Sequence, residues 1–271
     1  MNDVQERPPT PRAPPVPIAT TAAGPAAPSP PLSDARDAGA SVRDSLRARR
    51  WSAAGAVKVL GNVEVESATV SGSVAVGGTL DAGELASSGA LDVYGAVKVR
   101  TRLRVRGATH LRGPVDVGEL EGSGEVNVVG PLRATGLVHI SGALELASSL
   151  HADRLVGNGT VHILGDAEAT QVELRLHRAS RIGSLKAEGV VVRRRPGLPI
   201  PGLTKPTLAV ARIDAKTVEL EGVDCGYLRA DRITLGSDCH IARLEGKVVA
   251  RHPSARVGPE SRTPPPYGLT R

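Results

Sequence analysis

Four histidines are the side chains best suited to acid–base or metal chemistry in this 271-residue sequence. Three of them lie between two apolar residues, as His139 does between Val138 and Ile140, and His110 lies between Thr109 and Leu111. Such alternation is typical of a β-strand whose apolar side chains point inward while the polar ones face solvent. Catalysis and metal binding need several groups to converge. We therefore expect isolated wall residues at His110, His139, His151 and His162.

Two cysteines offer a second candidate for metal chemistry. Cys225 and Cys239 are separated by 14 positions, and His240 follows the second. A structural zinc site needs four ligands at close spacing, and two of them are missing here. The sequence therefore predicts free thiols packed against a wall, with no metal site and no disulfide framework.

Paired carboxylates and glycine-rich runs complete the search for chemistry. Asp116 and Glu119 are close in sequence, but nothing indicates the facing pair of acids that a glycan-cleaving site requires. The glycine-rich run at 72–78 does not join a strand to a helix, as a phosphate loop would. We predict a non-enzymatic protein without catalytic residues, cofactor or small-molecule substrate.

A six-residue rhythm organises most of the chain. From Gly89 the sequence divides into GALDVY, GAVKVR, TRLRVR and GATHLR; the first three have two apolar residues spaced by one, and the fourth has Thr109 and Leu111 at those positions. A strand this short cannot bury its apolar face alone, so the blocks must stack, coil on coil, around continuous aliphatic columns. Three blocks per coil predict an all-β fold, a single-stranded β-helix of triangular cross-section.

A longer period supports this architecture. Similar segments begin at Thr79, Pro114, Ser149 and Ser184, at intervals of 35 residues. This interval equals two coils of about 17 to 18 residues, with one corner shortened in every second coil. The sequence has one Trp, three Tyr and no Phe, which fits a narrow lumen filled by aliphatic side chains.

Hexapeptide-repeat acyltransferases share the triangular solenoid and are the alternative enzyme class. Their motif has one aliphatic residue followed by Gly or a small acid, whereas each hexad here has two aliphatic residues. No histidine-bearing loop interrupts the coils where such enzymes place their base. This alternative is the less favoured one.

Composition divides the chain into five segments and indicates its compartment. The N-terminal region lacks the apolar core of a secretory signal, and no apolar run approaches the roughly 20 residues of a membrane span. We expect a cytoplasmic protein, associated with the inner face of the membrane through its tails. The segments are a disordered Pro/Ala-rich tail with a candidate short basic helix (1–51), a β-solenoid (52–193), a Pro-rich insertion or hinge (194–207), a second solenoid block (208–258) and a disordered tail (259–271).

Clustered basic residues are candidate contacts with a membrane surface or a partner protein. The formal net charge is +6, but no stacking aromatics accompany the arginines, so nucleic-acid binding is not expected. An alternative for the first cluster is a solvated linker whose tryptophan covers the open first coil. The clusters are Arg47, Arg49 and Arg50 with Trp51, and Arg193, Arg194 and Arg195.

Spaced aliphatic and alanine residues, separated by a glycine-containing turn, recur near the C-terminal end of the solenoid, and both ends of the chain are Pro-rich. The recurring positions are Ile213, Ala215 and Val218, then Leu228, Ala230 and Ile233, then Ile241, Ala242 and Leu244. In these features the chain resembles the bactofilins, the polymer-forming cytoskeletal proteins of bacteria, over about 55–258 and most strongly in the final fifty of these residues.

The resemblance implies a right-handed β-helix that polymerises end to end without nucleotide and recruits envelope-associated or cell-organising partners through its tails. The solenoid is about twice as long as a typical family core, and no Phe is present to close the C-terminal coil. Unpaired strand edges at both ends support association independently. A monomeric binding or adaptor protein, using the 193–207 segment, is the alternative. The residues expected in the end coils are Val57, Val59, Val63 and Val65, and Ile241, Leu244, Val248, Val249 and Val257.

Overall fold

The structure, a computed structural model, describes residues 33–194 and 206–258. All regular elements in these two ranges are β-strands, which confirms the predicted all-β fold. The strands are β1 Ala35–Arg43, β2 Leu46–Val59, β3 Val63–Val70, β4 Ser73–Val76, β5 Leu80–Ser87, β6 Ala90–Val93, β7 Val97–Val105, β8 Ala108–Leu111, β9 Val115–Gly122, β10 Glu125–Val128, β11 Leu132–Ala134, β12 Leu137–Ile140, β13 Ala143–Leu146, β14 Leu150–Gly157, β15 Thr160–Leu176, β16 Ser180–Arg194, β17 Leu208–Leu220, β18 Val223–Leu235, β19 His240–Arg251 and β20 Arg256–Val257.

Every strand pairs in parallel with the strand one coil away. Leu80 pairs with Val97, and Val97 pairs in turn with Val115, so the second of these coils is longer than the first by a single residue. The extra residue of the longer coil lies between Val99 and Arg102, where the pairing register shifts. The 35-residue period is therefore two successive coils, as predicted. The described part forms a solenoid of about 12 turns.

Each coil has three short walls around an aliphatic lumen. We call them wall 1, wall 2 and wall 3, and in one coil they are Leu80–Ala82, Leu85–Ser87 and Leu91–Val93. The first and last residue of each wall point inward, and all six are buried. A single buried cluster runs from Leu46 to Ala255, so all coils share one core. Handedness stays a prediction.

Glycine recurs at the corners because successive coils are in direct backbone contact there. At the corner between walls 2 and 3, a Cβ added to Gly89 would lie 1.9 Å from the carbonyl oxygen of Gly72. At the corner between walls 3 and 1, a Cβ on Gly95 would lie 2.4 Å from the oxygen of Gly78. The glycines that define the hexad are therefore stacking positions.

The N-terminal boundary of the solenoid is earlier than predicted, and the expected short helix before residue 52 is wrong. Strand β1 lies over β2 in register from Ala35 with Trp51 to Arg43 with Val59. The inward positions of β1 include Asp37 and Ser41, so the apolar alternation that marks the later strands is missing.

The Pro-rich insertion falls between two paired strands. Residues 195–205 lie outside the described residues, but β16 and β17 on either side pair from Ser180 with Leu208 to Val192 with Leu220. The flanking coils are thus directly hydrogen-bonded and share the same core. The coil after the insertion is shorter than the earlier ones, because Val218 pairs with Ile233.

Candidate assembly surfaces of the coil stack

A polar trio closes the N-terminal end of the lumen. Asp37 is buried, with 6% of its surface exposed. Its carboxylate accepts hydrogen bonds from Nε and Nη2 of Arg43 at 2.9 and 2.8 Å, and from Nε1 of Trp51 at 2.9 Å. The hydrogen bond from Arg43 is the main cause that holds the pKa of Asp37 below its usual value. Three charge-assisted or neutral bonds thus satisfy a carboxylate that would otherwise be costly to bury.

The C-terminal end has the opposite character. The last coil presents Leu244, Val248 and Val257 at positions that are inward-facing in earlier coils, and 40% of Val248 and 37% of Val257 are exposed. Val249 beside them is 62% exposed. Beyond β19, the described strand β20 pairs only with His240 and Ile241. Among the described residues, most of β19 is therefore an open strand edge beside exposed aliphatic side chains, which favours association.

The residues predicted to form the two end coils are only partly at the ends. Two of the four N-terminal ones lie beneath β1 and two beneath β2, and all are at most 3% exposed, so their assignment to the end coil is wrong. Ile241 is also buried, one coil inside the C-terminal end. The buried N-terminal four are Val57, Val59, Val63 and Val65, while Leu244, Val248, Val249 and Val257 do lie in the last coil.

The predicted basic contacts are also divided by the structure. Trp51 is 1% exposed and belongs to the core, so its proposed membrane or partner contact is wrong. Arg47 and Arg49 are exposed and lie 3.3 Å from carboxylates of Glu64 and Asp34. Arg50 is exposed, and Arg195 lies outside the described residues.

Arg194 is part of a clamp at the base of the insertion. Its Nη1 lies 2.7 Å from Oδ2 of Asp238, and its Nε donates to the carbonyl oxygen of Pro206 at 2.9 Å. Its side chain is 12% exposed, so it is not available as a free basic contact. Arg193 next to it is exposed and pairs with Glu219 at 3.2 Å.

Two of the four predicted histidines, His139 and His151, lie on walls 2 and 1, and both cysteines are buried. His110 and His162 share wall 3 but are three coils apart, through Asn127 and Glu145. Burial raises the pKa of the Cys225 thiol to about 12, and burial also raises the pKa of Cys239. Neither forms a disulfide. Among the described residues no group of His, Cys, Asp and Glu is arranged to hold a metal ion.

Wall 1 carries an outward ladder of charged residues that sequence reasoning missed. Residues one coil apart in this column pair in register, as Asp81 with Lys98 and Lys98 with Asp116. The sequence pattern that could have revealed the ladder is a titratable residue at the same point of every coil. The pattern is hard to see because the coils differ in length. The ladder is Arg47, Glu64, Asp81, Lys98, Asp116, Arg133, His151, Glu168, Lys186, Asp214, Arg229 and Glu245. From Asp116 to Lys186 it borders a groove of about 780 Å³.

An apolar ridge runs along the corner between walls 3 and 1. Four large apolar side chains occupy the same corner position in every second coil, and each is at least 50% exposed. Parallel coils are about 4.8 Å apart, so these side chains recur about every 10 Å. They are Leu60, Tyr94, Val129 and Leu164. The intervening coils place Gly77, Arg112 and Ala147 there, and Arg112 stacks on Tyr94, with its Cζ 4.3 Å from the ring centre.

The chain was compared with protein-family models, curated proteins and solved structures. No family model, no curated protein and no solved structure matches it. The described residues contain no helix long and apolar enough to cross a membrane.

Proposed function

We propose that this chain is a non-enzymatic cytoskeletal scaffold that associates end to end with further copies and recruits partners through its tails, as its resemblance to the bactofilins implies. The exposed apolar coil at the C-terminal end supports this proposal most directly. Covering one Val or Leu side chain contributes about 1.5 to 3 kcal/mol. Several such side chains, together with the open edge of β19, offset the entropic cost of docking.

The two ends are unequal partners in such an assembly. The N-terminal coil fills its lumen with the Asp37–Arg43 pair, which gains little from further burial. The C-terminal coil presents Val248 and Val257 instead. In a filament, the C-terminal coil of one copy therefore supplies most of the apolar surface that is buried against the N-terminal coil of the next.

Sedimentation and negative-stain electron microscopy of the full chain test this proposal. We expect filaments or long oligomers for the unmodified protein, and their loss in Val248→Arg, because a charge at the contact has to be desolvated. Thr69→Arg adds the same charge to an exposed position on wall 2 and serves as the control. If Val248→Arg and the unmodified chain have equal mass at all concentrations, the end-to-end proposal fails.

The groove along wall 1 favours a second candidate function, that of a monomeric binding or adaptor protein. Its lining includes Arg133, His151, Glu168 and Lys186, which suit a partner carrying both signs of charge. A chain that remains monomeric while charge reversal at Lys186 abolishes capture of a partner would support this alternative. Binding of acetyl-CoA, measured by calorimetry, would instead favour the acyltransferase class.

A further inference from the structure

The charge ladder of wall 1 is complementary to its own reverse over its first eight coils. From Arg47 to Glu168 the signs run positive, negative, negative, positive, negative, positive, histidine, negative. When a second copy of the ladder is aligned with it in reverse order, each basic residue of one copy faces a carboxylate of the other, and each carboxylate faces a basic residue. The centre of this inversion lies between Lys98 and Asp116.

The apolar ridge is complementary to its reverse about the same centre. Three of the four large side chains would meet a small residue or an arginine, because large residues occupy every second coil only, whereas Leu164 would meet Asp44. Two such ridges fit together when the large side chains of one pack into the gaps between the large side chains of the other. The resulting pairs are Leu60 with Ala147, Val129 with Gly77, and Tyr94 with Arg112.

We propose that two copies of this chain associate side by side in antiparallel orientation, wall 1 against wall 1, about a two-fold axis between Lys98 and Asp116. Lys98 of each copy then faces Asp116 of the other, and Asp81 faces Arg133. The apolar ridges meet along one border of this contact. This lateral contact goes beyond end-to-end association and does not depend on it.

Three of the four central charges of the ladder are free to make these contacts. Within the described residues, Lys98, Asp116 and Arg133 form no ion pair at 4.0 Å or less. Asp81 pairs with Arg100 of its own chain at 2.8 Å, so its contact with Arg133 competes with that pair. Towards the ends of the ladder, Arg47 pairs with Glu64 and Glu168 with Lys186. Eight coils are stacked at about 4.8 Å, and one side of a coil, counted with its corners, is about six residues wide. The face therefore measures roughly 38 by 20 Å. This area approaches the roughly 800 Å² per partner of a standard interface.

One pair opposes the contact. Glu66 and Asp153, both exposed at the corner between walls 1 and 2, would face each other across the axis. Like charges in this position weaken association. Glu66→Lys is therefore expected to tighten the lateral dimer, by about threefold.

Charge reversal in the full chain carrying Val248→Arg tests the proposal without end-to-end assembly. This parent is expected to sediment as a dimer. Lys98→Glu and Asp116→Lys each replace two attractions across the axis by two repulsions, so each alone should weaken the dimer by about tenfold or more. Both positions are exposed, and circular dichroism confirms that each variant folds.

A mixture of the two single variants gives the decisive result. In a mixed dimer Glu at 98 faces Lys at 116, and Asp116 faces Lys98, so both attractions return although neither chain has regained its internal neighbours. We expect the mixture to dimerise about as tightly as the parent. A monomeric parent, or a mixture no tighter than the separate variants, overturns the antiparallel contact and leaves the end-to-end proposal to its own test.

Discussion

Nε1 of Trp51 donates a 2.9 Å hydrogen bond to Oδ2 of Asp37, and this bond joins the first coil to the second across the lumen. The only tryptophan of the sequence is therefore a buried component of the N-terminal end. Arg43 completes the arrangement from the outer side, with 38% of its side chain exposed. The N-terminal end is closed by polar contacts within the chain.

Asp37 should contribute stability that depends on pH. Its pKa is lowered in the folded state, chiefly by the hydrogen bond from Arg43. The contribution is therefore present above the usual carboxyl value of 3.8 and is lost as pH falls through the lower, folded pKa. We expect Asp37→Asn to reduce the free energy of unfolding at pH 7 by about 1 to 3 kcal/mol.

Urea unfolding at neutral and acid pH measures this effect. The difference between the unmodified chain and Asp37→Asn should shrink as pH falls. Asp44→Asn, at an exposed position of the same coil, is the control and should change little. A difference that does not vary with pH would contradict the assigned role of the carboxylate.

Glycine stacking should make some corners intolerant of any side chain. Gly89→Ala would place a Cβ 1.9 Å from the backbone of Gly72, which cannot move without separating two coils. We expect a loss of more than about 2 kcal/mol in the free energy of unfolding, measured by thermal or urea unfolding. Gly136→Ala, where the nearest atom would be at 3.2 Å, should cost much less. Equal losses would refute the stacking explanation.

A hydroxyl in the lumen should be a source of instability. Thr109 is fully buried, and its Oγ1 has no hydrogen-bond partner among the described residues. Thr109→Val keeps the shape and removes the unsatisfied group, so we expect stability to rise by about 1 kcal/mol. Differential scanning calorimetry would measure this as a higher midpoint. A lower midpoint would show that the hydroxyl is satisfied in solution.

The clamp at the base of the insertion should matter more than the ion pair beside it. Arg194→Ala removes a nearly buried partner of Asp238 and of the Pro206 carbonyl, so a loss of about 1 to 3 kcal/mol is expected. Arg193→Ala removes a pair that is about half exposed on both sides and should change stability by less than about 1 kcal/mol. Chemical unfolding of both variants gives the comparison, and a larger effect at Arg193 would contradict it.

The hexad and its 35-residue superperiod were sufficient to predict the strands, the triangular lumen and the paired coils, because an aliphatic at every second position has only one way to be buried. The first coil was missed because Asp37 and Arg43 occupy positions where later coils have aliphatic residues. Its segment consequently resembled a polar linker.

The surfaces could not be predicted, because they depend on register between coils. Asp81 and Lys98 are neighbours across a shorter coil, whereas Lys98 and Asp116 are neighbours across a coil with one more residue. A fixed period misaligns one pair or the other. The ridge at Tyr94 and Val129 has a regular spacing. In the sequence, however, a single exposed apolar residue cannot be recognised as part of a ridge, because its neighbours along the ridge are known only once the coils are aligned.

The glycine column between walls 2 and 3 continues through Gly142 and Gly159, where a Cβ on the latter would lie 1.9 Å from the former. Beyond it the same corner first lengthens, between Leu176 and Ser180, and then opens between Arg194 and Pro206. Tight backbone contact forbids a detour, so foreign peptide can be accommodated only where that contact has ceased. For protein engineers, the stretch of this corner between Arg194 and Pro206 is the natural grafting point. A guest sequence inserted there would be displayed outside the coils and would not contact the buried core.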